Sequence, residues 1–170
     1  TEWAKGILPI HKANKKAFEL TSYEIDWNKW DALGERVKTF GIRNAQLMAI
    51  APTATSGKAI NAIESTEPIQ NFFYKEEGTM SIPTVVPNFR KNNQYYKPAM
   101  DCDPIGLVTN ACVRQKWVDQ AQSVNFYDKY PDSLMRMTTV HLFGFIHGLK
   151  TAYYMKQQKE SDEAECESCT

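Results

Sequence analysis

Long apolar runs are missing from this chain. No stretch approaches the roughly 20 residues that a helix needs to cross a bilayer, so no membrane span is expected. An excess of one charge is missing as well: Lys+Arg and Asp+Glu both number 20, for a net charge of zero. A nucleic-acid binder normally carries a basic surplus, so no nucleic-acid partner is expected. Cysteine is scarce, with 4 in 170 residues, too few for a secreted disulfide scaffold. Histidine is scarcer still. His11, His141 and His147 are scattered, without carboxylate or cysteine at ligand spacing, so no metal site is expected. The chain opens on Thr1 without a secretory leader pattern, and the expectation is a processed chain or a piece of a longer one.

What is present is a composition that folds. Hydrophobic residues make up 42% and aromatics 12%, enough for one domain with a real core. The organising stretch is 45–63. Leu47–Ala51 reads as a buried strand, stopped by Pro52, which cannot donate to a sheet ladder. Thr53, Ala54, Thr55, Ser56 and Gly57 follow, all small or hydroxyl-bearing. Ala59, Ile60, Ala62 and Ile63 then look like the stripe of a short helix. Strand, polar loop and helix start together make an anion site, because the first helical N–H groups lack internal partners and carry partial positive charge. The hydroxyls of Thr53, Thr55 and Ser56 would add donors, and Gly57 would let a phosphate approach the backbone. The same residues serve equally as a plain N-cap. The nucleotide P-loop pattern fails here: Pro52 stands where glycine is needed, and Ala59 where serine or threonine is.

The flanking chain alternates helix and strand signals. Residues 1–25 read as extended or loop structure. Trp27, Trp30, Leu33, Val37 and Phe40 share a helix face between an Asp26 cap and Gly41, and this helix is expected to cover a sheet. Residues 71–74 and 80–86 read as a hairpin around a turn at 76–79. Residues 89–100 look like surface structure and carry the adjacent Tyr95 and Tyr96. Asp103 and Pro104 open a helix that the apolar pattern carries to about Ala121. A short strand at 123–127 precedes a helix from Ser133 to Gly148 with Leu134, Met137, Val140, His141, Phe143 and Ile146 on its apolar face. Helix and strand in this alternation suggest a parallel α/β arrangement. Cys102 and Cys112 read as small packed hydrophobes.

Two features near the end stand out. Residues 149–155 read as a last strand holding Tyr153 and Tyr154. Neighbours on a strand point to opposite faces, so these rings would stack only on irregular backbone. Residues 157–170 are acidic, lack bulky apolar side chains and are expected to be disordered. They end in Cys166-x-x-Cys169. No second half of a zinc site is visible, and a redox dithiol on a flexible arm fits better. Glu165 and Glu167 should not lower the thiol pKa, so the pair suits handing electrons along rather than strong oxidation.

In this order the Pro52–Ser56 loop, the Lys150–Tyr154 segment and the Cys166/Cys169 pair resemble the C-terminal part of the large, catalytic subunit of class I ribonucleotide reductase. Thr1–Pro9, Gly41–Asn44, Glu67–Pro68 and Lys116–Gln120 agree with that resemblance, which covers essentially all of the chain. It implies the closing C-terminal portion of a ten-stranded α/β barrel over residues 1–156, with residues 67–122 as a small appended hairpin and helix unit and 157–170 as a redox tail. It implies reduction of ribonucleoside diphosphates to deoxyribonucleoside diphosphates by radical chemistry. Pro52, Thr53, Ala54, Thr55, Ser56 and Gly57 would hold the substrate diphosphate, Tyr153 and Tyr154 would transfer the radical, and Cys166 and Cys169 would re-reduce the active site.

The implied partners are the N-terminal portion of the large subunit, the radical-generating small subunit with its di-iron tyrosyl radical centre, and thioredoxin or glutaredoxin. No cofactor is expected on this chain, and nucleoside triphosphate effectors would bind the upstream portion. The thiyl cysteine, the barrel cysteine pair and their Asn and Glu partners have no match here, so the chain is expected to be inert alone. A naturally split, phage-type large subunit is expected, working in the cytoplasm, or the host cytoplasm if phage-encoded. Two alternatives of other kinds remain: a stand-alone thiol-redox protein using Cys166 and Cys169, and a non-catalytic phosphate-binding or assembly module.

The tail yields a prediction of its own. Thiol–disulfide exchange needs an attacking and a resolving thiol. Cys166→Ser or Cys169→Ser should therefore spare a single turnover of pre-reduced enzyme and abolish sustained turnover with a protein reductant. A small dithiol should restore much of the rate. Steady-state assays with both reductants check this, and full turnover of either variant with the protein reductant removes the relay role.

Overall fold

The first 25 residues are more regular than their mixed composition suggests. In this computed structural model, which describes residues 2–63, 65–76, 82–129 and 133–157, they form a 3-10 turn at Trp3–Lys5 and two one-turn helices, α1 (Pro9–Lys12) and α2 (Lys15–Phe18). Pro9 suits the first helical position, where no N–H is required. The Asn14 side chain caps α2 by accepting from the Lys16 N–H at 3.0 Å. Capping places α3 (Trp27–Phe40) where the sequence expects it: Asp26 accepts from the Lys29 N–H at 3.2 Å, and Gly41 ends the helix at φ 75°.

The surroundings of α3 differ from expectation. Among the described residues it covers no sheet; Val37 packs with Leu8 and Ile10 of the N-terminal segment, flanked by Trp3, Phe18, Trp30 and Trp117. Trp30 and Trp117 lie with ring centroids 5.8 Å apart. Gly6 and Gly34 bring the two backbones together. A Cβ on Gly34 would meet the Gly6 carbonyl oxygen at 2.5 Å, and Gly6 itself holds φ +77°.

The Leu47–Ala51 stretch is extended but is not a buried strand. Leu47 and Met48 are exposed, and Ile50 alone forms a bridge, parallel to Gln122. The Gln120 N–H donates to the Met48 carbonyl at 3.2 Å and the Ser123 N–H to the Ile50 carbonyl at 3.1 Å. The next helix, α4, spans Ala54–Ala59. It therefore begins within the polar loop rather than after it. Strand β1 (Phe73–Glu76) pairs antiparallel with β2 (Ile82–Val85), Phe73 opposite Val85. The hairpin stands as expected, although residues 77–81 of its turn lie outside the described residues.

Past α5 (Phe89–Asn92), the Asp103 carboxylate accepts from the N–H groups of Ile105 and Gly106 and opens α6 (Pro104–Gln115). This helix stops short of Ala121, and residues 116–120 turn back instead. Strand β3 (Phe126–Asp128) follows, then α7 (Leu134–Ile146), capped by the Ser133 hydroxyl accepting from the Arg136 N–H. Strand β4 (Met155–Gln157) pairs parallel with β3, Met155 beside Phe126. It begins six residues later than the expected strand start at Leu149.

The main core joins Val108, Ala111 and Cys112 of α6, Val124 and Phe126, Val140 of α7, and Leu149. Each of the valine, leucine and phenylalanine side chains in it, once buried, stabilises the fold by about 1.5–3 kcal/mol. Within residues 67–122, α6 therefore builds this core, while the hairpin pairs only with itself. Helix and strand are mixed, compatible with an α/β class. Among the described residues the strands form two separate pairs, and no closed barrel is visible. No described helix is long and apolar enough to cross a membrane.

The Gly6–Gly34 contact reverses a usual rule. In an exposed helix interior, Gly→Ala gains about 1 kcal/mol. At Gly34 the added methyl meets fixed backbone, and overpacking of that kind costs about 1–3 kcal/mol. Gly34→Ala should lower stability, read as a reduced urea midpoint at unchanged slope; a raised midpoint would show that the two segments separate freely.

Candidate functional site

The loop singled out in the sequence is a helix N-terminus held at both sides. The Gly57 N–H donates to the Thr53 carbonyl at 2.7 Å, closing the first turn of α4. The Thr53 hydroxyl accepts from the Ser65 N–H at 2.7 Å, so it ties the two ends of the 53–65 excursion together. Pro52, Thr55 and Ser56 are exposed, and Gly57 is buried. Thr55 and Ser56 thus offer hydroxyls in the first turn of a helix, beside backbone N–H groups that the helix itself leaves unpaired. A helix of six residues has only a small dipole. Any affinity for an anion therefore comes mainly from these local donors.

Directly after this excursion, Glu67 makes a cluster that sequence reasoning did not single out. Its carboxylate accepts from the Asn125 N–H at 2.7 Å, from the Asn125 side-chain amide at 2.9 Å and from the Tyr127 hydroxyl at 2.6 Å. Three bonds to one carboxylate are charge-assisted and short, each contributing about 1.5–3 kcal/mol. The only signal in the sequence was the presence of Glu67–Pro68 among the resembling stretches; a carboxylate that acts across 58 residues leaves no local pattern.

The tyrosine pair hangs on the same strand. The Tyr153 N–H donates to the Val124 carbonyl at 2.8 Å, and the Phe126 N–H donates to the Tyr154 carbonyl at 2.7 Å. The two residues lie just before β4, where the backbone has not yet taken strand form. Their rings consequently share a side, with centroids 4.0 Å apart at 48° and hydroxyl oxygens 3.2 Å apart in a hydrogen bond. This is the irregular backbone that stacking required. The rings do not anchor a core: Tyr153 and Tyr154 are 58% and 57% exposed. The hydrogen bond shared with Tyr154, and then the proximity of a second phenol, push the Tyr153 pKa above its ordinary value. The Tyr153 hydroxyl therefore keeps its proton at neutral pH.

The remaining candidates are structural or lie elsewhere. Burial pushes the Cys112 thiol up to about 11, which leaves it inert as a nucleophile. The Cys102 thiol lies 3.4 Å from the Pro98 carbonyl. Cys166 and Cys169 lie outside the described residues. The histidines are used locally: His11 faces Asp31 at 3.3 Å, and His141 and His147 each meet the carbonyl four residues back at 2.8 Å. Among the described residues no three His, Cys, Asp or Glu side chains group closely enough to hold a metal ion. Tyr95 is exposed, and the Tyr96 hydroxyl donates to the Pro87 carbonyl at 2.6 Å.

Fold and site together define a mixed α/β domain in which a hydroxyl-bearing helix start and a tilted tyrosine pair lie on segments that both pair with residues 120–128. The chain belongs to the ribonucleotide reductase barrel-domain family, which it matches over residues 1–155. It is 37% identical over 166 residues to the ribonucleoside-diphosphate reductase subunit alpha of Helicobacter pylori (strain J99 / ATCC 700824), covering 95% of this chain and 21% of that protein. Against the subunit alpha of Enterobacteria phage T4 the identity is 33%, over 91% of this chain and 22% of the relative. Against the ribonucleoside-diphosphate reductase 1 subunit alpha of Escherichia coli (strain K12) it is 29%, over 97% and 23%. The chain thus spans about a fifth of the length of these relatives.

Proposed function

We propose that this chain is the C-terminal part of the barrel of a ribonucleoside-diphosphate reductase large subunit. In the assembled enzyme it holds the substrate diphosphate and passes a radical towards the reacting centre. The observation that carries this is the hydroxyl-to-hydroxyl contact of Tyr153 and Tyr154 at 3.2 Å in an exposed, tilted ring pair. Tyrosines that merely anchor a sheet bury their rings; these expose them and aim their oxygens at each other.

Each phenol can give up an electron and its proton together and regain them from its neighbour, so the pair acts as a relay in which every step restores the residue behind it. The small subunit's di-iron tyrosyl radical centre supplies the oxidising equivalent. The backbone bonds from Val124 and Phe126 hold the two rings in register for that exchange. Thr55, Ser56 and the first amides of α4 receive the substrate's diphosphate, with Pro52, Thr53, Ala54 and Gly57 shaping the turn. The Cys166/Cys169 dithiol then returns two electrons to the active-site disulfide after turnover, re-reduced in turn by thioredoxin or glutaredoxin. The reacting cysteines, the nucleoside triphosphate effector sites and the rest of a ten-stranded barrel are assigned to the N-terminal portion of the large subunit. Such an assembly works in the cytoplasm.

Two experiments test the two halves of this function. Thr55→Ala with Ser56→Ala removes two neutral donors, about 2 kcal/mol, and should weaken diphosphate affinity roughly tenfold without abolishing it, because the backbone amides remain. Equilibrium substrate binding to the assembled enzyme reads this, and unchanged affinity would return the segment to a plain helix cap.

For the relay, Tyr153→Phe or Tyr154→Phe removes one oxygen and keeps the ring. A purely structural hydroxyl would cost about 1 kcal/mol of stability and leave activity nearly intact. A relay hydroxyl cannot be replaced, since phenylalanine has no O–H to oxidise. Either variant should assemble, bind substrate and show no nucleotide reduction above background. The adjacent pair Tyr95→Phe with Tyr96→Phe serves as control and should retain turnover. Substantial turnover by the Tyr153 or Tyr154 variant would leave the relay without support.

A further inference from the structure

Asp119 lies half-buried in the turn at 116–120, between α6 and the strand that carries the tyrosine pair. Its carboxylate grips two consecutive N–H groups of the segment that leads into the loop. Oδ2 accepts from Leu47 at 2.7 Å and Oδ1 accepts from Met48 at 2.9 Å. Both oxygens are used, one on each amide, in the place where a neighbouring strand would otherwise supply carbonyls. Burial does not hold this segment, because Leu47 and Met48 are 45% and 54% exposed. Its other ties to the turn and the strand are the Gln120 and Ser123 amides and the single bridge at Ile50. Pro52 follows two residues after that bridge, and its fixed φ passes the direction of the segment on to Thr53 and α4.

The turn presenting Asp119 is itself immobilised. The buried Gln115 side chain donates to the carbonyls of Val118 at 3.2 Å and Gln120 at 2.9 Å. Lys150 Nζ donates to the Asp119 carbonyl at 2.6 Å. The carboxylate is thus mounted on a fixed frame and spends its hydrogen-bonding capacity on an exposed, extended segment that leads to Pro52.

We propose that Asp119 is a positioning residue for substrate: its two-point grip sets the register and height of residues 47–52, and so the aim of the Thr53–Gly57 donors at the diphosphate. This rests on the phosphate role given to that loop above. The same turn touches the tyrosine segment through Lys150, three residues before Tyr153, so the lead-ins of both functional segments meet at one residue.

The test uses the fully assembled reductase carrying Asp119→Asn, with Asp119→Glu as the conservative variant. Asparagine keeps the shape but turns an NH2 towards an N–H, so one of the two grips is lost. With one charge-assisted bond removed, equilibrium affinity for a ribonucleoside diphosphate should fall about five- to tenfold, and KM should rise by more than kcat falls. Asp119→Glu, which keeps both acceptors, should recover part of the affinity. If Asp119 serves folding alone, kcat falls with the active fraction while KM and affinity stay unchanged, and that result overturns the proposal. The Thr55→Ala, Ser56→Ala enzyme is measured beside it. If that double variant loses affinity and Asp119→Asn does not, the positioning role fails and the loop assignment stands. If neither loses affinity, the loop assignment fails and takes the positioning role with it.

Discussion

The whole arrangement depends on one strip of backbone, residues 119–128, being hydrogen-bonded on both sides. On one side it receives residues 47–50 through the Gln120 and Ser123 amides; on the other it receives residues 153–157 through Val124, Phe126 and the β3–β4 pairing. Side chains seal the edges of the strip. Gln122 donates to the Ala111 carbonyl at 2.9 Å, and Thr151 donates to the Gln122 carbonyl at 3.0 Å. α6 and α7 pack on it with Phe126 and Val124. If this strip shifts by one residue, every side chain on it changes face. The loop and the tyrosine pair would both be displaced by that single slip.

Local forces do not place the tyrosines. An aromatic pair adds about 0.5–1.5 kcal/mol beyond its burial, and these rings are more than half exposed, so burial adds little. Ring attraction alone would leave the pair free to open. The two backbone hydrogen bonds at 2.8 and 2.7 Å flank the pair and fix both Cα atoms before any ring contact counts. The geometry of the hydroxyls is therefore imposed by the strand next door, and the stack follows from it.

How much of this was legible depended on how local each cause was. The starts of three helices are legible in the sequence because their signals are adjacent: Asp26, Asp103 and Ser133 each accept from an amide two or three residues on. The two parallel segments were blurred because parallel pairing leaves no turn or alternation between partners. Leu47–Ala51 looked like a buried strand by apolarity, yet two of its large side chains face outward. The end of α6 was misjudged because Trp117 and Val118 continue the apolar pattern while Gln115 caps the turn beneath them. The loop residues and the tyrosine pair are singled out in the sequence by type and order. Glu67 and Asp119 were not found, since each works on a partner 58 or more residues away. The start of α4 is not legible in the sequence because threonine, serine and glycine are weak helix formers, while in the structure the Gly57 N–H bond to the Thr53 carbonyl closes the turn.

The span of those contacts has a consequence for how the molecule comes into being. Asp119 reaches Leu47 across 72 residues, Glu67 reaches Asn125 across 58, and Lys150 reaches Asp119 across 31. Closing such long loops is an entropic cost that must be met before the contacts reward it, and contacts of high sequence separation form late. The helices can appear early from their own caps, but the strip stays without neighbours until both distant segments arrive. A chain emerging from the ribosome has its Thr53–Gly57 loop long before it has the strip at 119–128 that the loop's lead-in pairs with. The Thr53–Gly57 loop and the tyrosine pair therefore take their final places together, once the strip has both neighbours.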